Sequence, residues 1–235
     1  MVLFGTIVNG LCIFVGTIIG LFFTKIPERY KETVMHGVGL TVMLIGLQMA
    51  FKTENIVIVL LSLLLGAVIG EAMRLEDKLE GIGRSLERKF TKPDEKSTIA
   101  QGFITASLIF VIGALAVIGA LDSGLRNDHE ILITKAIIDG FISLVLTTTL
   151  GVGVIFSIVP VVLYEGSIAL LATQINQWIP KSMLDMLINE VTAAGGLMIV
   201  AIGLNILKIT KIRVANLLPG LIVVGLIVFV LRGIQ

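Results

Sequence analysis

Charge, cysteine and histidine are scarce in this chain. Only 15% of its 235 residues are Asp, Glu, Lys or Arg, where a soluble domain usually carries about a quarter. That deficit excludes an ordinary water-soluble globule and any disordered or nucleic-acid-binding chain. The 18 basic and 17 acidic residues nearly cancel, to +1, so no global field draws in a polyanion. Cys12 is the single cysteine, which excludes a disulfide framework. His36 and His129 are too few for a histidine metal site unless carboxylates join them. There is no Gly-rich phosphate loop ending in Lys-Ser/Thr, no His-Glu-x-x-His and no Gly-x-Ser-x-Gly elbow. Neither an enzyme activity nor a cofactor is therefore expected, and ATP-driven transport by this chain has no motif to support it.

Long apolar runs take the place of the missing charge. The chain is 56% hydrophobic with a mean hydropathy of +1.02. A helix needs about 20 mostly apolar residues to cross the hydrocarbon core, and helices satisfy their backbone polar groups internally there. Eight such runs are expected, at 3–24, 34–51, 56–73, 102–121, 131–150, 152–173, 191–207 and 214–231. The first lacks the basic start and small-residue cleavage site of a secretory signal. The stretch 131–173 is too long for one crossing, and Gly151 and Gly153 mark the expected turn within it. The fold class is thus an all-α polytopic transmembrane helical bundle, with the lipid bilayer as its first partner.

Loop charge orients the bundle. With eight spans, 13 basic residues share one face and 5 the other. Fusing the fifth and sixth spans into one changes this to 12 and 6, a weaker bias. Eight spans with both termini outside, in the cytoplasmic (inner) membrane, is the preferred arrangement. In the third loop, Leu75, Leu79, Ile82, Leu86 and Phe90 recur three and four apart, the pattern of one helical face. That face fits a surface helix at the headgroups or a docking helix for a partner. The segment Lys92–Lys96 reads as a loop, and Trp178 and Pro180 suit an interfacial connection.

Two stretches look alike. Gly39-Leu40 leads to Ile45-Gly46-Leu47-Gln48, and Gly196-Leu197 leads to Ile202-Gly203-Leu204-Asn205, with 5 identities in 10 positions at an offset of 157. Ile26-Pro27 corresponds to Ile179-Pro180 upstream. Shared apolar composition accounts for some of this likeness. Read as a duplication, it relates spans two and three to spans seven and eight by inversion, an arrangement found in many secondary transporters. The expected division is 1–75 as a first three-span repeat, 76–101 as a cytoplasmic amphipathic helix and loop, 102–150 as central spans, and 151–235 as a second repeat.

Ionisable residues inside a bilayer are functional candidates by default. Lys135, Asp139, Ser143 and Thr147 lie four apart and form one polar stripe. Either it faces protein, water or a solute, or Lys135 snorkels to the surface and pairs with Asp139. Thr147, Thr148 and Thr149 run into Gly151, where hydroxyls and freed carbonyls could gather round a cation. Glu190 precedes the small run Thr192–Gly196, as a cation-binding carboxylate or as a favourable charge at a helix start. Glu165 needs a partner if its span is continuous. Asn9, Gln48, Asn205 and Asn216 are amides that glue helices or touch substrate. The expected binding set is Asp139, Ser143, Thr147, Asn9, Gln48, Glu190, Asn205 and Glu165, lining a polar midplane cavity.

The segments Gly113–His129, Asp139-Gly140, Thr149–Gly153, Glu190–Leu197, Ile202–Asn205 and Ile212–Pro219 resemble a bacterial multipass membrane family of unknown function, the YqgA/YdfK-like proteins. The resemblance spans essentially the whole chain. It implies a prokaryotic inner-membrane protein, for which transport is a suggestion and not an established activity, and brings no substrate or catalytic residue. The expected function is a secondary transporter of a small solute or monovalent cation, coupled to Na+ or H+. An ion channel and a non-transporting scaffold or sensor are the alternatives. A homo-oligomer is compatible with either, and no nucleic acid is expected as a partner.

Overall fold

The computed structural model describes residues 1–23, 28–90 and 98–234, and every regular element among them is helical. The upstream half-match at Ile26-Pro27 and the Lys92–Lys96 segment lie outside the described residues. Helix α1 (Phe4–Phe22) shows how the sequence builds these elements. It buries Gly5, Thr6, Asn9, Gly10, Ile13, Gly16, Thr17 and Gly20, three and four apart on one face. It exposes Phe4, Ile7, Leu11, Phe14 and Ile18. Small and polar inside with large and apolar outside reverses the pattern of a soluble helix. Hydrocarbon imposes it: a large side chain gains nothing by leaving lipid, while small ones let backbones close in. Helix α7 (Glu130–Leu150) repeats the scheme, burying its polar stripe and leaving Phe141 69% exposed. These outer faces lie against the bilayer.

Along the chain, α1 is followed by α2 (Glu28–Ala50), α3 (Ile56–Met73) and α4 (Leu75–Phe90). Next come α5 (Ile99–Val111), α6 (Ala114–Arg126), α7, a 3-10 segment Gly151–Ser157 and α8 (Ile158–Leu170). Finally α9 (Ala172–Trp178) and α10 (Lys181–Ile206) precede a 3-10 turn Val214–Leu217 and α11 (Pro219–Ile234). Asn55 caps α3, its side chain accepting from Val57 N at 3.1 Å. Arg74 ends α3 in the left-handed region (φ 50°), so the chain turns directly into α4. The start of α4 is pinned: Glu76 N donates to Asn216 Oδ1 at 2.8 Å, and Glu76 Oε2 accepts from Ala215 N at 2.8 Å. Leu75 and Leu79 on its apolar face are half-buried, and Ile82 is exposed.

Two compact units divide the chain, and neither is a continuous stretch. The first holds Met1–Met35, Glu80–Val111 and Leu115–Ile175; the second holds His36–Leu79, Ile112–Ala114 and Asn176–Gln235. In the first, α1 and α7 run parallel, with Gly5 on Leu132, Gly16 on Gly140 and Gly20 on Leu144. Helix α8 runs antiparallel to α1, with Gly10 against Ile158 and Val162, and Gly166 against Leu3 and Thr6. In the second, α2 and α10 are antiparallel and touch through glycine. A methyl carbon on Gly46 would lie 2.7 Å from Gly196 O, and one on Gly196 would lie 2.6 Å from Gly46 O. Helices α3 and α11 are also antiparallel, with Gly66 on Gly220 and Gly70 on Asn216.

By length and composition, six helical stretches can cross a membrane, or seven with the pair α5 and α6, which bends by 61°. This is fewer than the eight expected, for two reasons. The run at 102–121 is not one straight helix but breaks at Ile112–Gly113. The run from Glu130 to Leu170 passes that test as a single stretch. Its chain nevertheless reverses. Since α1 is parallel to α7 and antiparallel to α8, the 3-10 segment joins two opposed legs. Gly151 begins that segment at φ 70°, ψ -159°, a conformation essentially restricted to glycine.

Candidate functional site

Three helices of the first unit bring four polar side chains together. Asn9 comes from α1, Lys135 and Asp139 from α7, and Glu165 from α8. Lys135 Nζ donates to Asp139 Oδ2 one turn along its own helix and lies 3.2 Å from Glu165 Oε1. Asn9 Nδ2 donates to both carboxylates, at 3.1 Å to Asp139 Oδ2 and 2.8 Å to Glu165 Oε1. Lys135 and Asp139 are each 5% exposed, and Asn9 and Glu165 are fully buried. One ammonium therefore answers two carboxylates where water does not reach. Moving each ion out of water costs several kcal/mol, about what a well-formed pair with extra hydrogen bonds recovers. One carboxylate charge has no cation of its own.

The cluster is also short of donors. Glu165 Oε2 and Asn9 Oδ1 are buried with no hydrogen-bond partner among the described residues. Thr6 Oγ1, Ser143 Oγ and Thr147 Oγ1 share that condition. Thr6 lies one turn before Asn9 on α1, and Ser143 one turn beyond Asp139 on α7. Buried polar atoms are normally paired, so a group of unpaired oxygens beside a charged cluster calls for explanation.

The expected residues are distributed as follows. Asn9, Asp139 and Glu165 meet, joined by Lys135. That lysine does not snorkel; it is the hub of the cluster. Ser143 and Thr147 continue its stripe in the interior. Of the three hydroxyls expected to surround a cation near Gly151, that of Thr147 has no partner among the described residues and the other two are taken up locally. Thr148 Oγ1 donates to Val145 O at 2.7 Å and Thr149 Oγ1 to Leu146 O at 3.0 Å, while Thr98 Oγ1 covers Leu150 O at 2.8 Å. The remaining three belong to the second unit. Gln48 is exposed. Asn205 ties the 207–213 connection, accepting from Ile212 N and Thr210 Oγ1 and donating to Ile212 O. Its amide is spent on holding a turn.

Glu190 closes the α2–α3 corner. Its Oε2 accepts from Thr53 Oγ1 at 2.6 Å, and its Oε1 from Glu54 N at 2.8 Å and Asn55 N at 3.0 Å. A fully buried carboxylate is thus held by the donors that precede a helix N-terminus, where negative charge is stabilised. The charge serves the start of α3 instead of the start of its own helix. A cavity of about 670 Å³ lies beside it, lined by Glu54, Asn55, Ser182, Met183, Met186 and Val228 among others. Sequence reasoning passed over Glu54 and Thr6. Glu54 gave no signal, because its role depends on α10 arriving beside it. Thr6 did give one: it lies three residues before Asn9 and so shares its face. Among the described residues, no three His, Cys, Asp or Glu side chains gather as metal ligands.

Comparison with known proteins places this chain in a wider group. A family model described as a protein of unknown function (DUF554) matches residues 4–229. The chain is similar to the uncharacterized membrane protein YdfK of Bacillus subtilis (strain 168), at 33% identity over 98% of each chain. It is also similar to the uncharacterized protein YqgA of Escherichia coli (strain K12), at 28% identity over 93% of each chain. No solved structure matches it.

Proposed function

This chain belongs to the DUF554 family, and from that premise we propose that it is a secondary transporter of a small solute or ion, with the Asn9–Lys135–Asp139–Glu165 cluster as its ion-coupling centre. The observation that carries this reading is the burial of three ionisable groups, on two opposed legs, in helices whose outer faces meet lipid. Such groups are rare in membrane interiors and mark ion or proton paths. Their partners sit on α1, α7 and α8, so a change of charge at the cluster alters what holds these helices together. The cavity beside Glu190 is where a small solute would rest, among carboxylate, amide and methionine side chains.

The glycine crossing supports an inverted duplication. At the offset of 157, Gly39 corresponds to Gly196, Met43 to Val200, Gly46 to Gly203 and Ala50 to Leu207. The contacts are reciprocal under that correspondence. Gly39 meets Gly203 and Leu207, and Gly196 meets Gly46 and Ala50. Gly46 meets Val200, and Gly203 meets Met43. Antiparallel helices related in this way share a local two-fold axis perpendicular to both, the relation expected of inverted repeats in a membrane.

The test is flux in proteoliposomes, with H+, Na+ and K+ gradients imposed in turn. Wild type should dissipate at least one gradient, and Asp139→Asn should fall to the level of empty vesicles. Equal flux in both proteins rejects the coupling role. One observation favours a second reading, a non-transporting scaffold or sensor: the cluster is sealed by its own members. In that case no gradient is dissipated and Asp139→Asn changes stability alone.

A further inference from the structure

The cluster holds an asymmetry that names its ligand. Lys135 and Asp139 share one helix, four residues apart, and move together as a neutral pair. Glu165 reaches them from α8, across the reversal at Gly151–Ser157. Its Oε1 is met by the Asn9 amide at 2.8 Å and the Lys135 ammonium at 3.2 Å. Its Oε2 is buried and met by nothing among the described residues. Glu165 is therefore the surplus charge, and it has one idle oxygen.

A metal cation fits poorly here. Na+ needs several oxygens turned toward it, but Asn9 turns its nitrogen, not its oxygen, to both carboxylates. The Lys135 ammonium already occupies Glu165 Oε1 and Asp139 Oδ2, so neither oxygen is open to a second cation. A proton needs only one lone pair, and Oε2 offers one. We propose that the ligand of this site is a proton, carried on Glu165 Oε2, which deepens the coupling role given to the cluster and rests on that reading. The proton bonds to Oε2, the carboxylate becomes a neutral acid, and the Lys135 ammonium is left to Asp139. On its release, Glu165 regains its charge and draws on Lys135 again, so the tie between α8 and α7 depends on the proton. The elements packed against α8 are α1, α5, the 3-10 segment and α6, whose Gly124 closes on Ala169. Their titratable side chains are Cys12 on α1 and the mutually paired Asp122 and Arg126 on α6, and the facing groups on α7 are Lys135 and Asp139. Tyr164 is the neighbour of Glu165 along its own helix.

Infrared spectroscopy of the full chain in lipid reads this directly. At neutral pH the wild type should show a protonated-carboxyl C=O band that moves with isotope-labelled glutamate and stays put with labelled aspartate. The band should vanish in Glu165→Gln, persist in Glu190→Gln, and be unchanged by a sodium titration at fixed pH. Absence of the band in wild type, its survival in Glu165→Gln, its loss in Glu190→Gln, or its loss on adding sodium overturns the proposal. Should Glu165→Gln fail to fold, the labelled wild type, Glu190→Gln and the sodium titration still decide. Because none of these measurements needs a transported solute, a protein with the band and no flux rejects transport alone, and flux without the band rejects the proton alone.

Discussion

Lys135 is 5% exposed, so its ammonium is answered only by what surrounds it: Asp139 and Glu165. Replacing it with methionine keeps the volume and removes the charge. Two buried carboxylates would then share one amide donor. Breaking a buried ion pair from one side costs about 3–5 kcal/mol, because the other charge is left uncompensated. Lys135→Met should lower stability by that order, read from denaturation of the purified protein in detergent. The triple variant Lys135→Met, Asp139→Asn, Glu165→Gln should regain most of the loss, since no charge remains to be desolvated. A single variant as stable as wild type would mean that water reaches the cluster. The common face of Lys135, Asp139, Ser143 and Thr147 was legible in the sequence because a helix returns to the same side every 3.6 residues. The meeting of Lys135 with Glu165 was not. It depends on the chain doubling back between them, and local spacing is silent about residues 30 apart.

At the scale of elements, glycine decides how closely two helices approach. Gly46 and Gly196 each place bare backbone against the other's carbonyl, and a leucine at either would force α2 and α10 apart. Overpacking of a closed contact costs about 1–3 kcal/mol. Gly46→Leu and Gly203→Leu should destabilise by similar amounts in that range, because at the offset of 157 they occupy equivalent places in the crossing, against Val200 and Met43 respectively. Gly37 lies on the same helix as Gly46 with nothing within 4 Å of its added carbon. Gly37→Leu should therefore shift the unfolding midpoint very little, which separates contact from helix propensity. Unequal losses at Gly46 and Gly203 would weaken the case for a two-fold relation. These glycines were visible in the sequence as a repeated Gly-Leu…Ile-Gly-Leu pattern, but not that the two copies pack on each other. The break at Ile112–Gly113 escaped notice because both flanks are apolar, and hydropathy averages over a bend.

For the whole molecule, helix directions constrain the number of crossings. A chain that alternates sides gives parallel partners when their ordinal numbers differ by an even number, and antiparallel partners when they differ by an odd one. Helix α1 is first, and α7 runs parallel to it, so α7 is fifth if the bent α5–α6 pair crosses. Helix α8 opposes α7 and becomes sixth. Helix α10 is then seventh and antiparallel to α2, and α11 is eighth and antiparallel to α3, in agreement with every contact direction described for these pairs. Fusing α7 and α8 into one crossing would make α10 sixth and parallel to α2, against the geometry. Eight crossings also keep the stronger charge bias, with 13 basic residues on one face. Labelling with a membrane-impermeant thiol reagent in a Cys12→Ser background tests this. Lys52→Cys and Lys181→Cys should react from one side of the membrane, and Glu80→Cys and Ile209→Cys from the other, with the second pair on the cytoplasmic face. Seven crossings would exchange Lys181 and Ile209 between the two sides. That exchange would break the antiparallel pairing of α2 with α10, and with it the inverted repeat on which the transport reading partly stands.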